Sequence, residues 1–446
     1  MSLALNTDLY QLTMMAGYLH GGITGRSSFE LSVRELPPRR GYLVAAGLEQ
    51  ALEFLDQLRF TDEQIRYLRT VPALARAPER FFSEQLPAFR FTGDVWAVAE
   101  GEAVFAQEPL VRVSAPAAEA QLVETALLAI VTFQTTIASK AARIVDAASG
   151  RAVIEFGSRR AHGLDAAVHA ARAAYVAGCH STSNVEAGHR FGIPVSGTMA
   201  HSWVMTFADE IEAFRAYLSL FGDRTTVLID TYDTVAAARA IVQAGLRPGG
   251  VRLDSGDLSA LSRDVRAVLD EGGLGETQIV ASGDLDEDRI AALLAAGAPI
   301  DAFGVGTSLS TSRDSPALGG VYKLVEAERG GRMRPVIKLS TGKRTLPGSK
   351  QVWRITRDGC AVEDVLGLYG EEDQEGRPLL SLVMRGGRRV TDAPLLAATR
   401  EACRVRLRQL PPDVRRLHDW ADYPVRLTDA LQALSDTRLR QLKIEN

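Results

Sequence analysis

The sequence predicts an α/β protein whose central part is an incomplete (β/α) barrel. From Arg151 onward, short runs rich in β-branched residues alternate with helical patterns, as they do in parallel strands joined by crossover helices. Several of these helical patterns end at a glycine, which helix C-termini favour. Seven strands are predicted and no clear eighth, so we expect a barrel that does not close. A doubly wound open sheet remains the alternative, since it also collects ligands at the carboxyl ends of its strands.

The predicted strands each end in a polar cluster. The strands are 152–156, 179–182, 193–198, 226–230, 250–254, 278–282 and 302–306, and the helices between them are 164–177, 210–220, 235–244, 258–269 and 287–296. The clusters are 155–160, 181–183, 196–201, 230–233, 252–257, 282–284 and 304–307. In a parallel barrel all of them would lie at the C-terminal mouth, where such folds carry their chemistry. The sequence therefore predicts one active-site face.

The two ends of the chain differ from this central part. Residues 1–120 mix a predicted helix, 43–58, with predicted strands at 95–99 and 110–114, which is typical of an α+β region. A long amphipathic helix, 121–148, is expected to connect this region to the barrel. Strands at 320–326, 335–339 and 351–356 and a helix at 427–442 follow the barrel. We therefore predict an N-terminal domain over 1–120, the barrel over 121–318, strands returning to the N-terminal domain over 319–390, and a C-terminal helical tail over 391–446.

Composition excludes several classes of protein. The chain has 446 residues, 46% hydrophobic and 24% charged, and a formal net charge of -4 without a basic stripe, so we expect no nucleic-acid partner. Its cysteines, Cys179, Cys360 and Cys403, are too scattered for a disulfide framework or a paired-cysteine zinc site. No uncharged apolar run approaches the roughly 18 residues of a membrane helix. A cytoplasmic protein without a membrane partner is expected.

Two glycine-rich strand ends are candidate phosphate sites. The first glycine loop is Ser282-Gly283-Asp284, and the second is Gly304 to Thr307. A glycine-rich turn that opens a helix presents free backbone N–H groups to an anion. Two such loops after late barrel strands form a common phosphate-binding arrangement. The alternative is that either loop is simply a tight turn.

Charged residues at other strand ends point to an anionic substrate. Arg159 and Arg252 can each hold a carboxylate or a phosphate, although a structural ion pair with Glu155 or Asp254 is the alternative. Four aspartates could bind ribose hydroxyls or a hydrated Mg²⁺, and some of them must instead cap helices; they are Asp230, Asp233, Asp254 and Asp257. His201 follows a strand end, and the histidine spacings fit no tightly bound transition metal.

The N-terminal segment Asn6-Thr7-Asp8-Leu9-Tyr10-Gln11-Leu12-Thr13-Met14 closely resembles the opening of nicotinate phosphoribosyltransferases. The resemblance continues over nearly the whole chain, through Phe29-Glu30-Leu31, residues 41–48, Phe156-Gly157-Ser158-Arg159-Arg160, 197–202, 252–258, 319–324 and 347–351. It implies a type II phosphoribosyltransferase fold, in which an open-faced sandwich domain built from both chain ends packs on an incomplete α/β barrel. It also implies a homodimer with shared active sites.

The resemblance implies roles for individual residues. Phe156 would stack on the pyridine ring of nicotinate, and Tyr10 of the partner subunit would cover the other face. Arg159, Thr198 and Arg252 would surround nicotinate and ribose, and Asp254 would lie near the ribose hydroxyls. The 5′-phosphate would be bound by the two glycine loops, through Gly283, Asp284, Gly306 and Thr307, with Thr311 and Lys343 as further members of this region. His201 matches the histidine that such enzymes phosphorylate from ATP.

The implied reaction joins nicotinate to phosphoribosyl pyrophosphate, with Mg²⁺ on the pyrophosphate and ATP hydrolysed. Nicotinamide phosphoribosyltransferases resemble this chain but carry an aspartate where it has Ser183, and a carboxylate there would repel nicotinate. Ser183 therefore favours the acid over the amide. A nicotinamide or quinolinate phosphoribosyltransferase is the alternative enzyme. A catalytically silent homologue with a regulatory role is the alternative of another class, and the presence of His201, Arg252 and both glycine loops argues against it.

Overall fold

The computed structural model describes residues 3–338, 345–371 and 375–445, and shows a mixed α/β fold with a curled parallel half-barrel sheet. The helices are α1 (Leu9–His20), α2 (Leu48–Gln57), α3 (Asp62–Arg69), α4 (Leu86–Ala88), α5 (Ala117–Leu122), α6 (Glu124–Ala147), α7 (Leu164–Val176), α8 (Val185–Phe191), α9 (His201–Met205), α10 (Glu210–Phe221), α11 (Thr234–Gln243), α12 (Leu258–Glu271), α13 (Glu287–Ala295), α14 (Thr307–Ser310), α15 (Leu396–Gln409) and α16 (Asp429–Glu445). A 3₁₀ turn at Pro72–Leu74 and a π-helical turn at Phe81–Gln85 accompany them.

The strands are β1 (Arg26–Val33), β2 (Leu43–Val44), β3 (Asp94–Val98), β4 (Ala103–Val104), β5 (Pro109–Pro116), β6 (Ala152–Glu155), β7 (Ser181–Thr182), β8 (Thr226–Leu228), β9 (Gly250–Leu253), β10 (Gln278–Ala281), β11 (Ala302–Val305), β12 (Gly320–Arg329), β13 (Arg332–Pro335), β14 (Lys350–Arg357), β15 (Cys360–Leu368), β16 (Arg377–Pro378), β17 (Leu380–Arg385), β18 (Arg388–Arg389) and β19 (Val425–Leu427).

The chain forms two compact units. The first contains Met1–Thr136, Ala317–Leu395 and Ala402–Asn446, and the second contains Ile137–Pro316 and Leu396–Glu401. The first boundary between the two units lies within α6, between Thr136 and Ile137, whereas the sequence predicted that the N-terminal domain ends at residue 120. By length and composition α6 could cross a membrane, but 67% of its most apolar window is buried inside the protein, as is usual for a core helix.

The first unit is built on a seven-stranded sheet in the order β13-β12-β1-β5-β3-β17-β18. Strands from before the central part of the chain, β1, β5 and β3, form the middle of this sheet. Strands from after it flank them on both sides: β12 pairs antiparallel with β1, and β17 with β3. A four-stranded sheet in the order β16-β14-β15-β19 lies in the same unit. An extensive apolar core of buried residues also belongs to this unit and includes Leu31, Phe81 and Val113.

Local signals explain where several predictions for this unit are wrong. The predicted helix 43–58 is divided into β2 and α2 by Gly47, whose φ of 96° a helix cannot accommodate. The predicted strand 335–339 is displaced, since β13 ends at Pro335. The predicted helical tail also contains β19, which pairs with β15 in parallel. These strands are short, and a periodicity argument does not detect two- or three-residue strands.

The second unit contains a six-stranded parallel sheet in the order β7-β6-β11-β10-β9-β8. Every residue of β11 is buried, which explains why it appears in the sequence as an unbroken apolar run. β9 is buried except at Arg252, whose side chain reaches the cleft described below. The predicted strand 193–198 is wrong. Residues there make only an isolated bridge between Thr182 and Val195, because Pro194 has no N–H to donate to a ladder and Val195 remains 52% exposed.

Aspartate side chains begin several helices of this unit. Asp233 Oδ1 accepts from the Ala236 N–H, and Asp257 Oδ1 accepts from the Ser259 and Ala260 N–H groups. Asp286 caps α13 in the same way, through the Arg289 N–H. Of the four aspartates considered for ribose or Mg²⁺, Asp233 and Asp257 are therefore helix caps.

Candidate active site

A cleft of about 440 Å³ lies at the carboxyl ends of β6, β9, β10 and β11. All of its lining residues belong to the second unit. They are Phe156, Arg159, Arg160, Arg252, Asp254, Ser255, Gly256, Leu258, Ser282, Gly283, Asp284, Arg289, Gly304, Gly306 and Thr307. Eight residues predicted from the sequence are thus brought to one cleft: Phe156, Arg159, Arg252, Asp254, Gly283, Asp284, Gly306 and Thr307.

Phe156 contributes an aromatic ring to the cleft. Its backbone N–H donates to Val305 O at 2.8 Å, which continues the pairing of β6 with β11. A Cβ at Gly304 would lie 2.5 Å from the Phe156 ring, so only glycine lets the ring lie against β11. The Arg252 guanidinium carbon lies 5.9 Å from the ring centroid. A planar ligand stacked on Phe156 would therefore have a cation close by.

Arg252, Asp254 and Ser282 form a hydrogen-bonded group on the floor of the cleft. Arg252 donates to Asp254 Oδ1 at 3.0 Å and to Ser282 Oγ at 2.9 Å, and Ser282 Oγ also donates to Asp254 Oδ1. Burial alone would raise the pKa of Asp254, but the Ser282 hydrogen bond and the Arg252 charge lower it overall. The ion pair considered as an alternative for Arg252 is therefore present, yet both partners still line the cleft.

The Asp230 carboxylate supports this group from β8. Its Oδ2 accepts from the Asp254 N–H and from Ser255 Oγ, each at 2.9 Å. Its Oδ1 is buried and has no hydrogen-bond partner among the described residues. A buried carboxylate oxygen without a donor is costly, which favours a cation or a donor from a ligand at this position.

Arg159 differs from Arg252. It is exposed at the edge of the cleft, and among the described residues it has no ion-pair partner. The pairing with Glu155 considered as an alternative does not occur: Glu155 is 1% exposed and accepts from the Gly157 N–H and from Thr182 Oγ1. The Arg159 guanidinium is thus available to an anion.

The two glycine loops line the cleft together with Arg289. Gly283 and Asp284 both have positive φ, 88° and 42°, and Arg289 Nη1 donates to the Asp284 carbonyl at 2.9 Å. Gly306 precedes the short helix α14, and a Cβ there would approach Phe156 O at 3.3 Å. The loops expose backbone and lie beside Arg289, as expected of a site for a phosphate group.

Gly283→Ala is expected to abolish binding of phosphorylated ligands. A Cβ at this position would fall 1.8 Å from the Asp254 carbonyl oxygen, so the first glycine loop would have to move, and the positive φ adds roughly 1–3 kcal/mol of strain. Gly245→Ala is the matched control, because Gly245 has a φ of 65° with no atom within 4 Å of the added Cβ. Both variants should lose stability in denaturant titrations, but only Gly283→Ala should lose affinity for phosphorylated ligands. Equal affinity in the two variants would contradict the assignment.

His201, Thr198 and Ser183 lie on neighbouring segments and do not line the cleft. His201 is the first residue of α9, its Nδ1 lies 3.3 Å from Thr231 Oγ1, and its charge contributes to the lowered pKa of Asp254. Thr198 Oγ1 bonds the Met199 carbonyl, and Met199 O in turn accepts from Arg252. The Ser183 N–H donates to Glu155 O at 2.9 Å, which fixes Ser183 beside the strand that carries Phe156.

Two further residues predicted for the site, Tyr10 and Thr311, do not line the cleft, and a third is not among the residues that the structure describes. Tyr10, at the start of α1 in the first unit, is 47% exposed. Thr311 Oγ1 donates to the Thr307 carbonyl at 2.7 Å, so it stabilises the second glycine loop. Lys343 lies outside the described residues.

The cleft also contains residues that the sequence argument did not single out. They are Arg160, Ser255, Gly256, Leu258 and Arg289. Arg289 could have been found, because a basic residue in the first turn of a helix is unfavourable there unless it has another role. The fold and the cleft together define an α/β protein with a cleft, lined by arginines and two glycine loops, at the carboxyl ends of a parallel sheet.

Family models match most of the chain. Residues 5–132 match the nicotinate phosphoribosyltransferase (NAPRTase) N-terminal domain, and residues 372–435 match the nicotinate phosphoribosyltransferase C-terminal domain. Residues 137–314 match the C-terminal domain of quinolinate phosphoribosyl transferase.

Relatives match over nearly the full length. A nicotinate phosphoribosyltransferase of Mycobacterium tuberculosis is 47% identical over 436 residues, covering 96% of this chain and 92% of the relative. The Bacillus subtilis nicotinate phosphoribosyltransferase is 45% identical over 390 residues, covering 85% and 79%. The crystal structure of human nicotinic acid phosphoribosyltransferase superposes with a TM-score of 0.84 at 31% identity, covering 97% of this chain and 99% of that one. The chain belongs to the nicotinate phosphoribosyltransferase family.

Proposed function

We propose that this protein is an ATP-dependent nicotinate phosphoribosyltransferase of NAD biosynthesis. It joins nicotinate to phosphoribosyl pyrophosphate, forms nicotinate mononucleotide and pyrophosphate, and hydrolyses ATP. The observation that carries the proposal is the cleft itself, which brings an aromatic ring, two guanidinium groups and two glycine loops together. Relatives of that name over nearly the whole chain support the same reaction.

Nicotinate would bind with its pyridine ring on Phe156 and its carboxylate near Arg159 and Arg252. Among the described residues Arg159 has no competing ion pair, and Arg252 keeps its guanidinium at the cleft although it bonds Asp254. Ser183 adds no negative charge beside this pocket. Thr198 Oγ1 donates to the Met199 carbonyl, which also accepts a hydrogen bond from Arg252. The pocket therefore favours an acid over an amide.

The ribose and its phosphate would occupy the rest of the cleft. Asp254 Oδ1 accepts hydrogen bonds from Arg252 and Ser282, which leaves Oδ2 to accept from a ribose hydroxyl. Gly283, Asp284, Gly306 and Thr307 would bind the 5′-phosphate, with Arg289, Thr311 and Lys343 in support. The pyridine nitrogen then attacks C1 of the ribose as pyrophosphate leaves, through an oxocarbenium-like transition state. These residues supply placement and charge compensation for that step.

Mg²⁺ fits the carboxylates at this site. Asp230 Oδ1 is buried without a donor among the described residues, while Oδ2 of the same carboxylate accepts from the Asp254 N–H. Oδ1 therefore offers the hard oxygen that Mg²⁺ requires. The described residues contain no group of three or more potential metal-ligand side chains, so substrate phosphates would supply most of the remaining ligands. Bound there, Mg²⁺ would neutralise charge on the leaving pyrophosphate.

We also propose the finer architecture and assembly of the family. Residues 1–120 and 319–390 would form an open-faced sandwich domain that packs on the incomplete barrel of 121–318, followed by the tail 391–446. Two chains would form a cytoplasmic homodimer, and Tyr10 of the partner subunit would cover the nicotinate ring. The 47% exposure of Tyr10 and the neighbouring exposed Leu9 and Met14 support such a role for α1.

Mixed dimers test the shared site. Tyr10→Ala and Phe156→Ala are each expected to be nearly inactive, because each removes one face of the nicotinate pocket. Heterodimers of the two variants would contain one intact site and should regain up to about half of the wild-type activity per dimer. Heterodimers are verified with two different affinity tags. Verified heterodimers without activity would contradict the proposal that the two subunits share each active site.

The reaction is tested with purified protein, phosphoribosyl pyrophosphate and Mg²⁺. Nicotinate, nicotinamide and quinolinate are supplied separately, with and without ATP, and products are scored by mass. We expect nicotinate mononucleotide, formed faster with ATP. Preferred use of quinolinate or nicotinamide would refute the proposed substrate, and no product with any of them would favour a silent homologue.

A further inference from the structure

Four charged side chains of the second unit are buried together behind the cleft lining. Lys140 Nζ lies 2.5 Å from Glu287 Oε2 and 2.9 Å from Asp314 Oδ1, and Arg143 Nε donates to Glu287 Oε1 at 3.1 Å. Lys140 and Arg143 are three residues apart on α6 and so share one face. The side chains are 2%, 4%, 1% and 14% exposed for Lys140, Arg143, Glu287 and Asp314. We refer to them as the Lys140 cluster.

Stability alone is a weak reason for this cluster. Removing charges from water is costly, and well-packed apolar residues often stabilise a core as well as a buried ion pair does. Two cations face two anions, so the cluster is balanced. Burial would raise the pKa of Glu287, but Lys140 and Arg143 lower it overall, so Glu287 remains charged beside them. What such a cluster adds over apolar packing is a defined geometry between the elements that it joins.

The Lys140 cluster joins the two segments of the chain that follow the glycine loops. Glu287 is the first residue of α13 and comes three residues after Asp284 of the first glycine loop. Asp314 follows α14, which the second glycine loop begins. The Arg313 N–H donates to Ser308 O at 3.2 Å, so the segment that carries Asp314 is tied to α14. Lys140 therefore contacts both segments at once.

We propose that Lys140 is a positioning residue that holds the two glycine loops at the separation required to bind one phosphate group. The proposal rests on the proposed function, in which both loops bind the 5′-phosphate of phosphoribosyl pyrophosphate. Backbone N–H groups from two loops bind one phosphate well only if their spacing is fixed, and a misplacement of about 1 Å can cost two orders of magnitude in rate. Nicotinate depends on Phe156, Arg159 and Arg252, none of which contacts the cluster.

Substitutions at the cluster separate positioning from folding. Lys140→Met is expected to weaken binding of phosphoribosyl pyrophosphate about tenfold or more by calorimetry and to raise its KM similarly, while the KM for nicotinate stays within about twofold. Lys140→Arg keeps the charge and should restore most of the affinity. Asp314→Asn removes only the contact to the segment after α14, at a less buried position, and should give a smaller loss. This variant also provides a folded protein if Lys140→Met does not fold.

Arg354→Met is the matched control. Arg354 is buried between Glu102 and Asp364 in the first unit, with ion pairs of 2.7 and 2.5 Å. Lys140→Met and Arg354→Met should both lower the melting temperature, but only the former should change affinity for phosphoribosyl pyrophosphate. Unchanged affinity in Lys140→Met and Asp314→Asn, or an equal rise of both KM values in Lys140→Met, would overturn the proposal. If the wild type forms no nicotinate mononucleotide, the proposed function fails, whereas the calorimetric comparison still decides the role of Lys140.

Discussion

Replacing His201 with alanine is expected to abolish stimulation by ATP and the substrate-dependent ATPase, yet to leave a slow transfer from phosphoribosyl pyrophosphate. In the proposed reaction the pyridine nitrogen attacks C1 of the ribose directly, so the sugar chemistry would not pass through His201 and only energy coupling should be lost. His201 Nδ1 faces Thr231 Oγ1 at 3.3 Å, which leaves Nε2 as the nitrogen that can reach a ligand. If Nδ1 carries the proton and donates to Thr231, Nε2 has the lone pair that attacks the γ-phosphorus of ATP, and ADP leaves.

The phosphoryl group would add roughly two negative charges close to Asp254 and the proposed pyrophosphate site. Such charge can organise Mg²⁺ and substrate, and its hydrolysis would loosen the products. Wild type and His201→Ala are incubated with γ-labelled ATP, and acid-labile, base-stable label is followed together with product. Thr231→Val is the companion variant, because it removes the Nδ1 partner and should slow labelling without changing the ATP-independent transfer. Label that persists in His201→Ala would move the acceptor elsewhere.

Ser183→Asp should sharply weaken the use of nicotinate. The Ser183 N–H is fixed on Glu155 O, next to Phe156, so a carboxylate at this position would lie near that of nicotinate. Like charges in a partly desolvated pocket cost about 3 kcal/mol, or roughly a hundredfold in KM. Wild type should use nicotinate far better than nicotinamide, and the variant should narrow or reverse that ratio.

Ser183→Asn separates charge from size, because asparagine has nearly the shape of aspartate without its charge. We expect this variant to raise the KM for nicotinate much less than Ser183→Asp does. Steady-state kinetics with both bases measure the difference. A nicotinate KM unchanged in Ser183→Asp would show that the base pocket lies elsewhere, and equal losses in the two variants would attribute the effect to bulk.

Much of the parallel sheet was predictable because its strands are short and mostly apolar and each is followed by a polar or glycine-rich cluster. Strands β6, β9, β10 and β11 end within one residue of the predicted ends, since these clusters mark the strand ends clearly. Residues 193–198 have a similar composition but form only an isolated bridge, because Pro194 has no N–H to donate to a ladder and Val195 is exposed. Composition alone does not distinguish these cases.

The sequence alone determined the residue types available at each strand end: an aromatic residue, guanidinium groups, carboxylates and glycines. Only the tertiary structure decided what each does. Asp233 and Asp257 cap helices, whereas Asp230 and Asp254 meet beside the cleft. Lys140 contacts Glu287 and Asp314, more than a hundred residues away along the chain. Side-chain partners that distant leave no local pattern, because they are set by how strands and helices pack and not by the periodicity of any one segment.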